Sequence, residues 1–162
     1  LAFVPTHLHR VYDLPLTAAG AIVVLYAAGG LVYAGSSPVL VRRLGETGLA
    51  TWGGVLLTFC FVGLSIRTTP AVAAIACLAG GLGFYMLHNT LQVNATQMAP
   101  AQRGSSLALF ACILFVGQSS GVTLAGTLVE RFGTAPVIAA AGGLLLVVAL
   151  AFAVALRGHR KR

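Results

Sequence analysis

Five long apolar stretches, none of which contains a Lys, Arg, Asp or Glu, dominate this chain of 162 residues. They cover residues 17–38, 47–66, 70–91, 105–128 and 134–156. At about 1.5 Å of rise per residue, a helix over each stretch is long enough to cross the hydrocarbon core of a bilayer, which is about 30 Å thick. The pattern predicts an all-α membrane protein, with a single transmembrane domain over residues 1–162.

The composition favours the same environment. Hydrophobic residues make up 58% of the chain and charged residues 8%, whereas soluble domains carry about 25% charged residues. The net charge of +7 arises because the chain has only three acidic residues. No dense basic surface with interleaved aromatic residues is present in the sequence, so nucleic acid is not an expected partner.

Lys and Arg are unevenly distributed among the segments between the stretches. Seven of the ten lie in the segments after the first and third stretches and in the tail 157–162. Cytoplasmic loops of membrane proteins carry the excess of these residues. We therefore expect a protein of the plasma (cell inner) membrane with a cytoplasmic C-terminus, in which the basic tail anchors the topology.

The first residues are interpreted as part of a further span. Residues 1–5 are apolar but too few to cross a bilayer, so we expect them to be the end of a helix that begins outside this sequence. Residues 6–15 would then form an external loop, with His7 and His9 on its surface and no metal bound. This interpretation predicts five complete transmembrane helices plus the end of a sixth.

Polar residues cluster on the third stretch. Tyr85, His88, Asn89 and Gln92 follow the i, i+3, i+4, i+7 spacing of one helical face. Against lipid, this face would leave several hydrogen-bonding groups in hydrocarbon. We expect these residues to line a cavity or gate, or alternatively to join neighbouring helices. Other candidates for the lining of a substrate cavity lie on the first and fourth stretches: Tyr26, Tyr33, Gln118 and Thr123.

Small residues four positions apart indicate close helix packing. The pairs are Gly30 with Ala34, Ala76 with Gly80, Ala79 with Gly83, and Gly117 with Gly121. The three cysteines each lie alone within a stretch and are interpreted as small packing residues. The sequence contains no catalytic constellation and no phosphate-binding loop, so we expect neither an enzyme nor a bound cofactor.

Two segments between the stretches carry transporter-like motifs. Arg43, Leu44 and Gly45 match the R-x-G core of the G-x-x-x-D-R-x-G-R loop of the major facilitator superfamily. Pro100, Arg103 and Gly104 match the P-x-x-R-G turn that often precedes the fifth helix of a half in that family. Residues 83–100 are similar to segments of efflux permeases grouped with arabinose exporters and drug–proton antiporters. The chain thus resembles the carboxy-terminal half of such a transporter.

The resemblance implies half of a twelve-helix bundle, with residues 1–5 as the end of helix seven. It implies a secondary active transporter, an efflux permease that moves small solutes such as sugars or drugs by alternating access, coupled to protons. The implied partners are the lipid bilayer, a missing amino-terminal six-helix half and a small-molecule substrate. The implied cytoplasmic gate loops contain Arg42, Arg43, Gly45, Glu46, Pro100, Arg103 and Gly104.

One position departs from the motif. Arg42 stands where the family has an Asp that takes part in a cytoplasmic latch, so the charge there is reversed. The alternative function is a truncated or split helix bundle that acts only as an interaction or assembly module and transports nothing itself.

Overall fold

The computed structural model describes residues 1–66 and 69–160, and all the regular secondary structure in these ranges is helical. The prediction of an all-helical chain is therefore confirmed. The α-helices are α1 (Val4–Tyr12), α2 (Leu16–Ser65), α3 (Pro70–Gln97), α4 (Arg103–Phe132) and α5 (Thr134–Arg160). A short 3₁₀ turn over Pro100–Gln102 precedes α4. Arg67, Lys161 and Arg162, which entered the charge count above, lie outside the described residues.

The expected count of five complete transmembrane helices plus the end of a sixth is wrong. In the described residues, four helices are long and apolar enough to cross a membrane. Residues 17–38 and 47–66, expected as separate spans, belong to one element of 50 residues, α2. The segment expected to separate them, residues 39–46, is helical except at Gly45, so a single non-helical residue and not a loop joins the two stretches. The four helices are those of a membrane protein by length and composition.

The amino-terminal expectation is also wrong. Residues 1–5 do not end a long helix, and residues 6–15 do not form an open loop, because α1 covers nine residues from Val4 to Tyr12. Val4, His7 and Leu8 are buried against the other helices. The helix ends at Asp13, whose left-handed backbone (φ 51°) stops the hydrogen-bond pattern.

Recognisable signals set the other helix boundaries. Thr69 caps α3, and its hydroxyl accepts a hydrogen bond from the backbone N–H of Val72 at 3.4 Å. Pro70 follows at the first helical position, where its missing N–H is not needed. Gly133 separates α4 from α5 with φ 82°, a conformation that favours glycine.

Helix α2 reverses its direction at Gly45, whose φ of 61° and ψ of 178° are not helical. Residues 16–44 form its N-terminal arm and residues 46–65 its C-terminal arm. Along the N-terminal arm, Tyr26 meets Gly81 and Gly30 meets Tyr85, so this arm runs parallel to α3. Along the C-terminal arm, the order is inverted, because Gly53 meets Leu87 and Gly63 meets Ala76.

The core lies where α3 packs against both arms of α2 and α5 packs against the C-terminal arm. Buried Leu57, Cys60 and Leu64 of the C-terminal arm contact both neighbouring helices through one apolar cluster. The Thr58 hydroxyl donates to the carbonyl oxygen of Gly142 on α5 at 3.1 Å. Helix α4 stands apart, since none of its residues is buried. The fold is therefore a tight group of α2, α3 and α5 with α4 along one side.

Candidate functional site

A cavity of about 440 Å³ lies between the N-terminal arm of α2 and α3. Its volume is within the range of about 300–1,000 Å³ that is typical of small-molecule sites. Tyr33 and Ser37 line it from α2, and Tyr85 and Asn89 line it from α3. The remaining lining is apolar or backbone: Ala27, Gly30, Leu31 and Ala34. Phenol, hydroxyl and amide groups thus meet apolar surface, and the lining carries no charged side chain.

Helix geometry explains how the two tyrosines come together. Gly30 lies beneath the ring of Tyr85, and a Cβ added at Gly30 would overlap that ring. The absence of a side chain at Gly30 therefore lets Tyr85 lie across the α2 backbone. Tyr33, one turn further along α2, is only 6% exposed and forms the cavity's inner wall.

The four residues predicted to share a face on α3 do not all lie in this cavity. Tyr85 and Asn89 line it, whereas Gln92 is half-buried beyond it. His88 turns toward α4, and its ring stacks on Phe84 at 5.2 Å between centroids and meets Phe110 at 5.6 Å. The cavity residues and His88 therefore lie on adjacent sides of α3.

Of the other predicted lining residues, Tyr33 lies in the cavity, and Tyr26 lies beside it. The Tyr26 ring contacts Phe84 at 5.9 Å, and its carbonyl packs on Gly81. Gln118 lines a different cavity, between α4, α5 and the start of the chain. Thr123 is exposed on α4, and its hydroxyl donates to the Ser119 carbonyl of its own helix at 3.0 Å.

The two segments compared with transporter gate loops lie at one end of the bundle. Because the N-terminal arm of α2 is parallel to α3, its last turn and the end of α3 are at the same end. Arg42 and Arg43 are exposed on the last turns of that arm, before the break at Gly45, and half-buried Glu46 begins the C-terminal arm. On the second segment, Pro100 begins the 3₁₀ turn, and α4 begins with exposed Arg103 and Gly104.

Glycines make the contacts between α2 and α3 close. Gly80 leaves room for the Cys60 thiol, whose sulfur would lie 2.5 Å from a Cβ there. A Cβ added at Gly83 would likewise lie only 2.7 Å from the carbonyl oxygen of Gly53. By contrast, Gly117 and Gly121 on α4 have no other atom within 4 Å of their Cβ positions, and exposed Ala34 lines the cavity instead of a helix contact. The glycines of the two pairs on α3 therefore lie at close helix contacts, whereas the glycines of the pair on α4 contact no neighbouring helix.

Two features of the structure were not found from the sequence. His7, expected on a loop surface, is 2% exposed and joins α1 to two other helices. Its Nε2–H donates to the Leu64 carbonyl oxygen at 2.8 Å, so in the neutral ring Nδ1 accepts from the Thr134 hydroxyl at 2.6 Å. The interpretation of His7 as a surface residue is wrong because α1 packs against the C-terminal end of α2 and the N-terminal end of α5.

The second unexpected feature is a pair of thiols. Cys60 of α2 and Cys77 of α3 are fully buried and lie in the same apolar cluster. No spacing rule could have paired them, because they come from different helices. Among the described residues, no group of three or more His, Cys, Asp or Glu is placed to hold a metal ion.

Comparison with protein-family models, with curated proteins and with solved structures finds no match to this chain. What the structure defines by itself is a class of protein. Its described residues are all-helical in regular structure, with four helices of membrane-spanning length and apolarity, and an uncharged cavity lies beside the close contact between the N-terminal arm of α2 and α3.

Proposed function

We propose that this chain is the carboxy-terminal half of a secondary active transporter, an efflux permease of the major facilitator type. It moves small neutral or amphipathic solutes, such as sugars or drugs, by alternating access driven by protons. It lies in the plasma (cell inner) membrane with its C-terminus in the cytoplasm, and it works with an amino-terminal partner half. The loop likenesses at Arg43–Gly45 and Pro100–Gly104 support this assignment.

The observation that carries the proposal is the cavity of Tyr33, Ser37, Tyr85 and Asn89. At membrane depth, polar groups are tolerated where they line a cavity or contact protein. A lining of two phenols, one hydroxyl and one amide suits a sugar or an amphipathic drug that has both an apolar face and hydrogen-bonding groups. Such a solute can stack on Tyr85 and exchange hydrogen bonds with Asn89.

The test is transport by the protein, expressed from its own gene, purified and reconstituted in vesicles with an imposed proton gradient. The solutes are a panel of labelled sugars and cationic dyes. We expect flux of at least one solute, and Asn89→Leu to raise its half-saturating concentration about two- to tenfold, as expected for one lost net hydrogen bond. Asn94→Leu is the matched control, because the Asn94 amide bonds to Thr90 of its own helix and lies outside the cavity.

Two results contradict this proposal. One is the absence of gradient-dependent flux for every solute of the panel. The other is an equal effect of the Asn89 and Asn94 variants, which would show that the cavity does not bind the solute.

A second candidate function is an interaction or assembly module without transport of its own. The observation that favours it is the exposure of α4, a helix of 30 residues without one buried residue. A helix that packs so little within its own chain is suited to pack against another. This candidate predicts no flux in the vesicle assay together with stable association of the chain with a second membrane protein.

A further inference from the structure

Exposed arginines from α2, α4 and α5 lie at one end of the helix bundle. Arg42 and Arg43 are on the last turns of the N-terminal arm of α2, and Arg103 begins α4 at the same end. Arg157, close to the end of α5, is the fourth exposed arginine of the group. These four residues are called the basic end.

The packing of α5 on α2 brings Arg157 to this end. Gly54 meets Ala149, and Gly142 meets Phe61, so α5 runs antiparallel to the C-terminal arm of α2. About 12 Å of helix, at 1.5 Å per residue, leads from the first of these contacts back to the start of the arm and equally far on to Arg157. Arg157 and the start of the C-terminal arm are therefore level.

Positive charge is concentrated at this end of the bundle. Among the described residues, the four arginines there are accompanied by one acidic residue, half-buried Glu46. The opposite end has two charged residues of each sign: Arg10, Asp13, Glu130 and Arg131. In the described part of the chain, no ion pair joins Glu46 to an arginine of the basic end. The four guanidinium groups are thus available to an anion from outside the chain.

The type of basic residue determines which anion fits. All four residues are arginines, whose planar guanidinium presents its N–H groups in a fork that binds two phosphate oxygens at once. The ammonium group of lysine acts as a point charge and lacks this geometry. Orientation of a membrane protein counts the two residue types alike, so the basic end has a capacity to bind phosphate beyond its effect on orientation.

Exposed apolar side chains lie directly beside the arginines. Val39 and Val41 precede Arg42 and are 44% and 48% exposed, and Met98, just before α4, is 83% exposed. A phospholipid offers a phosphate together with an adjoining acyl chain, which covers such apolar side chains. A soluble phosphate compound would leave them in water, which is unfavourable. The combination of arginines with an apolar border therefore favours a lipid.

We propose that the basic end binds the phosphate headgroups of anionic phospholipids, with Arg42 and Arg43 as the principal contacts. A basic residue near a membrane surface strengthens the attraction to anionic lipid about fivefold. The inference goes beyond the proposed transport function and does not require it, because helices of membrane length bring this end to the bilayer surface whatever the bundle does there.

The experiment measures single-lipid binding by native mass spectrometry of the protein expressed from its own gene and purified in detergent. Phosphatidylglycerol and phosphatidylcholine with identical acyl chains are compared. The test variant carries Arg42→Gln and Arg43→Gln. The matched control carries Arg10→Gln and Arg131→Gln, which remove the same charge from exposed arginines at the opposite end. Circular dichroism verifies that both variants keep the wild-type helical content.

We expect the wild-type protein to bind phosphatidylglycerol at least about fivefold more tightly than phosphatidylcholine. The test variant should lose most of this preference, and the control should keep it. Equal binding of the two lipids by the wild-type protein overturns the proposal. An equal loss of preference in both variants also overturns it, because net charge alone would then explain the binding.

A competition with the soluble headgroup distinguishes a lipid from a free phosphate ester. We expect millimolar glycerophosphoglycerol, which has no acyl chains, to leave phosphatidylglycerol bound. Displacement of the lipid by this compound assigns the site to a soluble anion and overturns the proposal. Because the readout is lipid binding and not flux, failure of this proposal and failure of the transport proposal are separate results.

Discussion

Replacement of Gly81 by alanine tests the close contact between the N-terminal arm of α2 and α3. A Cβ added at Gly81 would overlap the backbone carbonyl oxygen of Tyr26. A backbone oxygen within a helix cannot rotate away as a side chain can, so the two helices must separate. That separation also disturbs the contact of Gly30 with Tyr85 and so the cavity beside it.

The magnitude follows from two opposed terms. Overpacking in a dense interior costs about 1–3 kcal/mol, occasionally more, and a clash with backbone belongs at the upper end. Alanine returns about 0.5–1 kcal/mol through its higher helix propensity. We expect a net loss of about 2 kcal/mol, which lowers the ratio of folded to unfolded protein about 30-fold.

The assay is reversible unfolding in mixed micelles as the fraction of denaturing detergent rises, followed by circular dichroism. Gly143→Ala is the first control, because Gly143 is exposed on α5 with no atom within 4 Å of its Cβ position. Gly63→Ala is the second, since Gly63 lies where the C-terminal arm of α2 meets α3, but its Cβ would meet Ala76 at an ordinary 3.5 Å. Both controls should unfold at the wild-type midpoint or slightly above it. A Gly81→Ala midpoint equal to that of Gly63→Ala would refute the reasoning.

Three further predictions concern other parts of the fold. In the folded protein a small maleimide should modify Cys112 and leave Cys60 and Cys77 unmodified until denaturant is added, as mass spectrometry can show; early loss of all three thiols would contradict the buried pair. His7→Ala should remove two hydrogen bonds and the packing of α1, lowering stability by about 1–3 kcal/mol, and proteolysis after residue 12 should accelerate; unchanged cleavage would argue against the docked α1. Arg43→Ala should change transport kinetics if the loop at Gly45 supports a gate, and kinetics identical to wild type would remove that role.

The sequence predicted several features from local chemistry alone. Apolar runs without charge indicated helices of membrane length, and α3, α4 and α5 lie within a few residues of the stretches drawn from hydropathy. The apolar stretch that begins at residue 70 starts where α3 starts. These features depend on neighbouring residues along the chain, and the sequence displays them directly.

The count of spans was not predictable in the same way. The first apolar stretch ends at Pro38, yet the helix continues to Gly45. Pro38, Val39 and Val41 have low helix propensity, but tertiary contacts can override propensity. Leu40 and Leu44 pack against the buried cluster of Tyr33, Leu49 and Met86. The chain turns instead where the backbone becomes left-handed, at a glycine.

The cavity could be predicted only in part. Periodicity placed Tyr85, His88 and Asn89 on one side of α3, but it does not specify which neighbour each side chain meets. In the structure Tyr85 and Asn89 turn toward α2, while His88 turns toward Phe110 of α4. A difference of one residue rotates a side chain by about 100° around a helix, enough to change its partner.

The sequence by itself determined the apolar character of the long helices and the approximate extent of α3, α4 and α5, because hydropathy and helix propensity act over a single turn or a single span. Only the tertiary structure decided that His7 is buried, that Cys60 and Cys77 lie in one buried cluster, and that no residue of α4 is buried. Those outcomes depend on contacts between residues far apart in the chain. Their energies arise from the shapes of packed helices, which no local pattern encodes.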